Sequence, residues 1–337
     1  MAPKVSVVMS VYNDETYIRE AVESILNQSF KDFEFIIIND GSTDRTGEIL
    51  ASYRDARIRL FDQENRGLTR SLNRGLSLAR GSYIARMDGD DISEPERFAE
   101  EVRFLEQNKN IGLVGTFAYR MDEQGRIVSL SKYKTTTEEI REDLWVDCSF
   151  CHSSVMFRKI CTEEVGIYRE KVGPSEDYDL WFRIAERFDV ANLPAPLHKF
   201  RIDSLGVTVA RRFEQLRYIM LVRLLAEERK KYGRDSLEHW SPEEILAKLE
   251  HFLPRTPENE RSVLASNYVY LADVYYVTGD YRRSLNWLAR SLWLKPVELR
   301  GWKLFGKILI SIILPKAILR HLRRGSYISV MKRNFMK

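Results

Sequence analysis

The runs Val5-Ser6-Val7-Val8-Met9-Ser10-Val11 and Phe33-Glu34-Phe35-Ile36-Ile37-Ile38 restrict the fold more than any other feature of this sequence. Both are short, rich in β-branched residues and apolar at successive rather than alternate positions, the pattern of a strand covered on both faces. Each gives way to a polar cluster, Tyr12-Asn13-Asp14-Glu15-Thr16 and Asn39-Asp40-Gly41-Ser42-Thr43-Asp44. Between the runs, Tyr17/Ile18, Ala21/Val22 and Ile25/Leu26 recur at helical spacing. Further strands are expected at Arg57 to Phe61 and Ser82 to Ala85, and helices at Thr46 to Tyr53 and Leu68 to Ala79. Strand-helix alternation of this kind predicts an α/β fold, a mainly parallel sheet flanked by helices, with its ligand site at the carboxyl ends of the strands.

That rule brings Tyr12-Asn13, Asp40-Gly41 and Asp88-Gly89-Asp90 to one edge of the sheet although they lie far apart in sequence. The last belongs to Arg86-Met87-Asp88-Gly89-Asp90-Asp91, with three carboxylates in four positions. Acids so close repel one another unless a cation sits among them; hard oxygen ligands suit Mg²⁺ or Mn²⁺, and such an ion attracts phosphates. The same turn also reads as a solvated helix cap, because Ser93-Glu94-Pro95-Glu96 has capping-box spacing. Glycines at 41, 67 and 89 suit either a close backbone approach to a ligand or a plain turn. Neither GxGxxG nor a P-loop lysine follows these strands, so a Rossmann dinucleotide site and a Walker ATPase are unsupported.

At 337 residues the chain exceeds one ordinary hydrophobic core, and two domains are expected. The net charge of +4 hides an asymmetry: residues 301–337 carry nine Lys/Arg and no Asp/Glu, leaving the rest slightly acidic. Three cysteines, Cys148, Cys151 and Cys161, form no disulfide framework and point to a reducing compartment, with Cys148-x-x-Cys151 read as structural. The N-terminal run is too short and too interrupted by serine for a signal peptide. A cytoplasmic location is expected.

Five segments, Val5 to Asn13, Ser24-Ile25-Leu26-Asn27-Gln28-Ser29-Phe30, Ile38 to Asp44, Asn65-Arg66-Gly67-Leu68 and Met87 to Asp91, together resemble family 2 glycosyltransferases of GT-A fold, in the right order through roughly the first two hundred residues. By that resemblance Ser10, Tyr12 and Asn13 would line the nucleotide pocket, and Asp40 would accept a hydrogen bond from the pyrimidine of a UDP or dTDP sugar. Asp88 and Asp90 would form the DxD element, Asp90 as the direct ligand of Mn²⁺ or Mg²⁺ and Asp88 nearer the ribose or the metal. Asn65, Arg66 and Arg70 are candidates for further phosphate or pocket contacts, although solvated helix-face arginines are the simpler reading of the last two.

Short strands at Leu113 to Phe117 and Arg126 to Leu130 fit the acceptor half of such an enzyme. In Gly173-Pro174-Ser175-Glu176-Asp177-Tyr178-Asp179-Leu180-Trp181, Glu176 and Asp177 open a helix, where carboxylates are favoured in any protein. The resemblance assigns Asp177 as the general base for the acceptor hydroxyl, supported by Glu176, in a single inverting displacement. Ala195 to Ser204 resembles the strand that ends the family's catalytic domain; where the family often has Tyr-Arg-x-His there, this chain has Phe200-Arg201-Ile202-Asp203, so that either Asp203 would replace the histidine as an oxygen ligand of the metal or that contact is missing. His152 reads as a structural histidine.

These features divide the chain into a catalytic domain over 1–208, a helical domain over 209–300 and a basic tail over 301–337. The helical part contains a long helix from Phe213 to Tyr232, a capped helix opening at Ser241-Pro242-Glu243-Glu244, and tetratricopeptide-like spacing from Tyr268 to Pro296. The tail mixes a short apolar stretch with cations and is broken by Pro315, which suits the surface of an anionic membrane rather than a span; the alternative is a buried C-terminal helix with a solvated basic end. The expected function is therefore a metal-dependent, inverting glycosyltransferase using a nucleoside diphosphate sugar and a glycan or lipid-linked acceptor, peripheral at the inner face of the cytoplasmic membrane. The alternative is a non-catalytic scaffold binding partners through its helices. Nucleic-acid binding is not expected, since no such fold is recognisable.

Overall fold

In the computed structural model, residues 2–202 and 211–313 are described. The chain divides into two compact units, Met1–Pro254 and Arg255–Lys337. The strands of the first unit are β1 (Val5–Val11), β2 (Phe33–Asp40), β3 (Ile58–Gln63), β4 (Tyr83–Asp88), β5 (Ile92–Ser93), β6 (Ile111–Met121), β7 (Ile127–Ser131), β8 (Met156–Arg158) and β9 (Asp189–Arg201). They form one mixed sheet in the order β3-β2-β1-β4-β8-β6-β9-β5, with β7 paired to β6. The β3-β2-β1-β4 half is parallel; β8 runs antiparallel to both β4 and β6, and β9 parallel to β6.

Burial explains the unbroken apolar runs. Val8, Ile36 and Ile38 point to one face, against Leu72 and Leu76 of α3 (Leu68–Leu78) and Trp181 of α7 (Glu176–Arg187). Val5, Val7, Met9, Phe35 and Ile37 point to the other, against α1 (Ile18–Leu26) and α4 (Arg97–Gln107). Alternating side chains thus serve two cores, so no position on β1 or β2 is left for a solvent-facing residue. The acid inside β2, Glu34, is held by Ser6 Oγ at 2.7 Å, Arg59 at 2.6 Å and Arg80 at 2.7 Å. Against the effect of burial, these partners bring its carboxyl down to about 2.

Three expectations are corrected. The Ser93 capping box is absent: Ser93 lies in β5, its N–H donates to Ser24 Oγ at 3.1 Å, its Oγ accepts from Gln28 Nε2 at 3.1 Å, and α4 starts only at Arg97. β9 is longer than the strand expected from Ala195, because a bulge between the Thr116–Leu193 and Phe117–Pro196 pairs absorbs Pro194, which has no N–H to give a ladder. The first compact unit also does not stop at 208. Leu221, Val222 and Leu225 of α8 (Arg212–Tyr232), with Ile245 and Leu249 of α9 (Pro242–Phe252), join the Trp181 core. The cap of α9 is as expected, a capping box between Ser241 and Glu244.

In the second unit, α10 (Pro257–Val277) and α11 (Tyr281–Leu294) form an antiparallel hairpin. Ser284 Oγ donates to Ala272 O at 2.6 Å and Ser291 Oγ to Ala265 O at 2.8 Å, one helix advancing as the other recedes. Helix α12 (Leu299–Ile313) packs Leu304 and Ile308 against Ala272 and Leu288 of that hairpin. The segment expected to begin a separate tail at 301 therefore starts inside a packed helix. Among the described residues no helix is long and apolar enough to cross a membrane.

Candidate active site

At the carboxyl edge of the parallel strands, Ser10 lies in register with Ile38 of β2 and Asp88 of β4. The chain then turns at Asn13, whose φ of 56° is left-handed, a conformation asparagine tolerates better than most residues. Its N–H donates to Ser42 Oγ at 3.0 Å and its Oδ1 accepts from Thr43 N–H at 2.8 Å, so the loops after β1 and β2 brace one another. Tyr12 stays 48% exposed beside them. Asp40, by contrast, is 2% exposed: its carboxylate accepts from Gln63 Nε2 at 2.6 Å, Arg66 N–H at 2.9 Å and Gly67 N–H at 2.8 Å. These bonds outweigh burial and hold the carboxyl below its usual range. Gly41 makes the same junction possible, since a Cβ there would stand 2.6 Å from Asn65 N at a φ of +75°.

The three acids after β4 have three different environments. Asp88 forms an ion pair with Arg86, itself fully buried in β4. Asp91 is buried and committed to the protein: it accepts from Ser153 Oγ, from Arg201 N–H at 2.8 Å, and pairs with His198 Nε2 at 2.9 Å. Asp90 uses its main-chain carbonyl for Arg201 Nε at 2.8 Å, and among the described residues no neighbour donates to its carboxylate. Burial, then Asp91 and Asp88, push the Asp90 carboxyl well up. Asp14 faces the same cluster and is pushed up to about 7 by burial and by Asp90.

Glu176 and Asp177 open α7 after a sharp turn at Gly173-Pro174. Burial raises both carboxyls, Asp177 adds to the difficulty of ionising Glu176, and Arg86 pulls both back. Both acids of α7 also feel Asp88, the ion-pair partner of the buried Arg86. Asp177 Oδ1 accepts from Tyr178 N–H at 2.7 Å, and its Oδ2 lies 4.0 Å from His152 Nδ1. His152 Nε2 in turn meets Tyr168 OH at 3.2 Å, and burial, then Arg86, keep the ring neutral. Behind this layer Asp179 is buried between Arg169 and Arg183, and Arg169 also grips Asp235 at 2.9 Å, which fixes the helix.

The turn itself depends on Gly173, at φ 53° and ψ −136°, where a Cβ would meet the Tyr218 ring at 2.7 Å. We expect Gly173→Ala to cost about 2–4 kcal/mol from backbone strain and overpacking. Urea unfolding monitored by tryptophan fluorescence checks this; an unchanged midpoint would remove the turn's claim to hold α7.

The model for glycosyl transferase family 2 matches residues 6–166. EpsE of Bacillus subtilis (strain 168), a protein named as a glycosyltransferase, is 40% identical over 209 residues, covering 60% of this chain and 74% of that one. This chain belongs to glycosyl transferase family 2. A second relative, the glycosyltransferase MJ1057 of Methanocaldococcus jannaschii, is 34% identical over 246 residues, 71% of this chain and 84% of that protein. Among solved structures, residues 1–349 of S. aureus TarS in complex with UDP-GlcNAc align at a TM-score of 0.54 and 18% identity, over 86% of this chain and 91% of that one. The mannosyltransferase PcManGT from Pyrobaculum calidifontis, in complex with GDP-Man and Mn²⁺, aligns at 0.52 and 17%, over 98% and 81%. At such identities the likeness concerns the fold, a GT-A-like mixed sheet flanked by helices.

In this glycosyltransferase the sequence-predicted residues do not all converge. Ser10, Asp88, Asp90, Glu176 and Asp177 gather at one end of the sheet, and Asn65 follows β3 beside Gly41. Arg70 is instead joined to Glu170 at 2.7 Å on the surface, with both side chains at least half exposed. Asp203, proposed from sequence as a metal ligand, lies outside the described residues. Arg86 was read only as part of the acidic stretch and His198 was given no role, while Asp91, read as one of three cation-seeking acids, is committed to protein donors; an arginine inside a run otherwise buried was the available signal for the first. The three cysteines are free thiols.

Proposed function

We propose that this glycosyltransferase moves one sugar from a nucleoside diphosphate sugar to a hydroxyl of a glycan or lipid-linked acceptor, with inversion at the anomeric carbon. The observation that carries the reading is the pair of buried Glu176 and partly exposed Asp177, both under the influence of Arg86 and Asp88 at the carboxyl end of β4. Acceptor activation on one side and diphosphate departure on the other require two such acidic groups of different task.

Asp177 takes the proton of the acceptor hydroxyl; Glu176 shares its burial and is the second place for that proton. The loops braced by Asn13 and Asp40 form the nucleotide side. Asp40 meets a pyrimidine N–H by giving up one of its present donors, Gln63, Ser71, Arg66 N–H or Gly67 N–H, while the remaining bonds shape the 63–67 loop. A UDP or dTDP sugar is favoured on that account, and the UDP-GlcNAc of the TarS complex supports the donor class.

The acidic turn fits a divalent ion, because Asp90 and Asp88 offer hard oxygen ligands whose mutual repulsion a cation relieves. Among the described residues no three acidic or imidazole groups already converge as a complete cage. An ion here would draw its remaining ligands from diphosphate oxygens and water, as Mg²⁺ does. When bound, it would neutralise charge developing on the departing diphosphate. The Mn²⁺ in the PcManGT complex supports the same reading.

A thermal-shift series with UDP, GDP and dTDP sugars, each with and without Mn²⁺, tests the proposal. At a hundredfold excess over Kd the right donor stabilises the fold by about 2.7 kcal/mol. No shift with any nucleotide sugar, with or without metal, would overturn it.

A further inference from the structure

The second compact unit carries an apolar surface that its own core does not use. Helix α12 buries Gly301, Leu304, Ile308 and Ser311. A rise of 100° per residue places Trp302, Gly306, Leu309 and Ile310 on the opposite side. There Trp302 is 51% exposed, Leu309 39% and Ile310 51%; Leu299 at 73%, Val297 at 75% and Trp293 at 81% extend the patch toward α11. Isolated exposed apolar residues are unremarkable in soluble proteins, but six within eighteen positions, two of them tryptophan, form a contiguous surface that needs a partner. Trp302 is also set in place: its Nε1 donates to Pro296 O at 2.7 Å and its ring meets Phe305 edge-on at 5.9 Å.

The charge around the patch identifies the partner's chemistry. Arg300, Lys303 and Lys307 are exposed and line one flank of the helix, between the outward apolar side and the buried one. The nearest acid, Glu298, lies 3.8 Å from Lys295, and no acid follows it to the C-terminus. A second copy of the chain is a poor occupant, because a twofold contact of this face would set one cationic flank near its equivalent. An apolar strip with tryptophan at its margin and cations along its edge matches the boundary between acyl chains and anionic headgroups.

We infer that this face of α11 and α12 docks on an anionic lipid bilayer, the helix lying in the plane of the interface. Trp302, Leu309 and Ile310 enter the acyl boundary, and Arg300, Lys303 and Lys307 meet phosphate groups. The inference is independent of the donor and acceptor assigned above.

Flotation of the full chain with vesicles of equimolar phosphatidylglycerol and phosphatidylcholine, against pure phosphatidylcholine, tests it. The protein is expected to float with the anionic vesicles alone, and less in 0.5 M NaCl than in 0.1 M. The double variants Trp302→Ser/Ile310→Ser and Lys303→Glu/Lys307→Glu should each lower the bound fraction at least tenfold while the protein stays folded by circular dichroism, the charge variant with an unchanged melting curve because its side chains are exposed. Absence of flotation with either vesicle overturns the inference. So does full binding by both variants, which would place the lipid contact in residues 314–337. A concentration-dependent dimer abolished by Trp302→Ser/Ile310→Ser, without lipid binding, would assign the face to a second copy instead.

Discussion

Asp177→Asn lowers kcat by about 10³-fold, in the middle of the range for loss of a general base, and leaves donor affinity almost unchanged. Asparagine keeps the shape of the side chain and can still accept from Tyr178 N–H, but it cannot take a proton from the acceptor. Loss of fold is not a rival explanation. Burial raises the Asp177 carboxyl, so the native state holds its proton more tightly than the unfolded chain and stability falls as pH rises through that interval. Removing the charge relieves this cost, and the variant should melt at or above the wild-type temperature. The sign for catalysis is the opposite one: the base acts when deprotonated, so wild-type kcat/KM falls as pH drops through the raised value. Its acid limb should therefore lie above the ordinary aspartate value of about 4. Single-turnover assays with donor saturating, alongside donor titration by calorimetry, separate the effects; wild-type turnover in Asp177→Asn would remove the residue from the base role.

What the sequence disclosed follows from what each residue answers to. Asp40, Asp88 and Asp90 were legible because they end apolar strands, and strand order in an α/β sheet dictates where such ends lie. Asp177 was legible as a helix-opening acid, and its role came only through resemblance. Arg86 was not, because beyond Asp88 in the same strand the groups it influences are the acids of α7, about ninety positions away. Asp91 stood in the acidic turn, yet its commitment to Ser153, His198 and Arg201 depends on contacts 62 to 110 positions away. Ser93 shows the converse error: a local capping pattern was overridden by pairing with β9. The helices after 210 were read well as helices and less well as neighbours, since amphipathic spacing reveals a buried face and not the core that receives it.

Those long-range commitments decide which acid of the turn is available for a cation, and they yield a second large effect. Asp88 is engaged by Arg86 and Asp91 by three donors, whereas among the described residues only its own backbone N–H bonds to the Asp90 carboxylate. Asp90→Asn should therefore abolish the Mn²⁺-dependent part of donor stabilisation and reduce kcat/KM by about 10²–10³-fold, the scale for loss of one electrostatic contact to developing charge. The same change also removes a carboxylate that burial and its neighbours make costly to ionise, so the apo protein should be no less stable. Asp91→Asn is the informative contrast. An amide offers one acceptor oxygen where Ser153, His198 and Arg201 N–H used two, and it turns an N–H₂ toward at least one donor, a mismatch costing about 1–3 kcal/mol. That variant should lose stability while keeping its thermal response to Mn²⁺ with a UDP sugar. If the two variants behave alike, or if Asp90→Asn retains the metal response, the cation belongs to a different set of ligands.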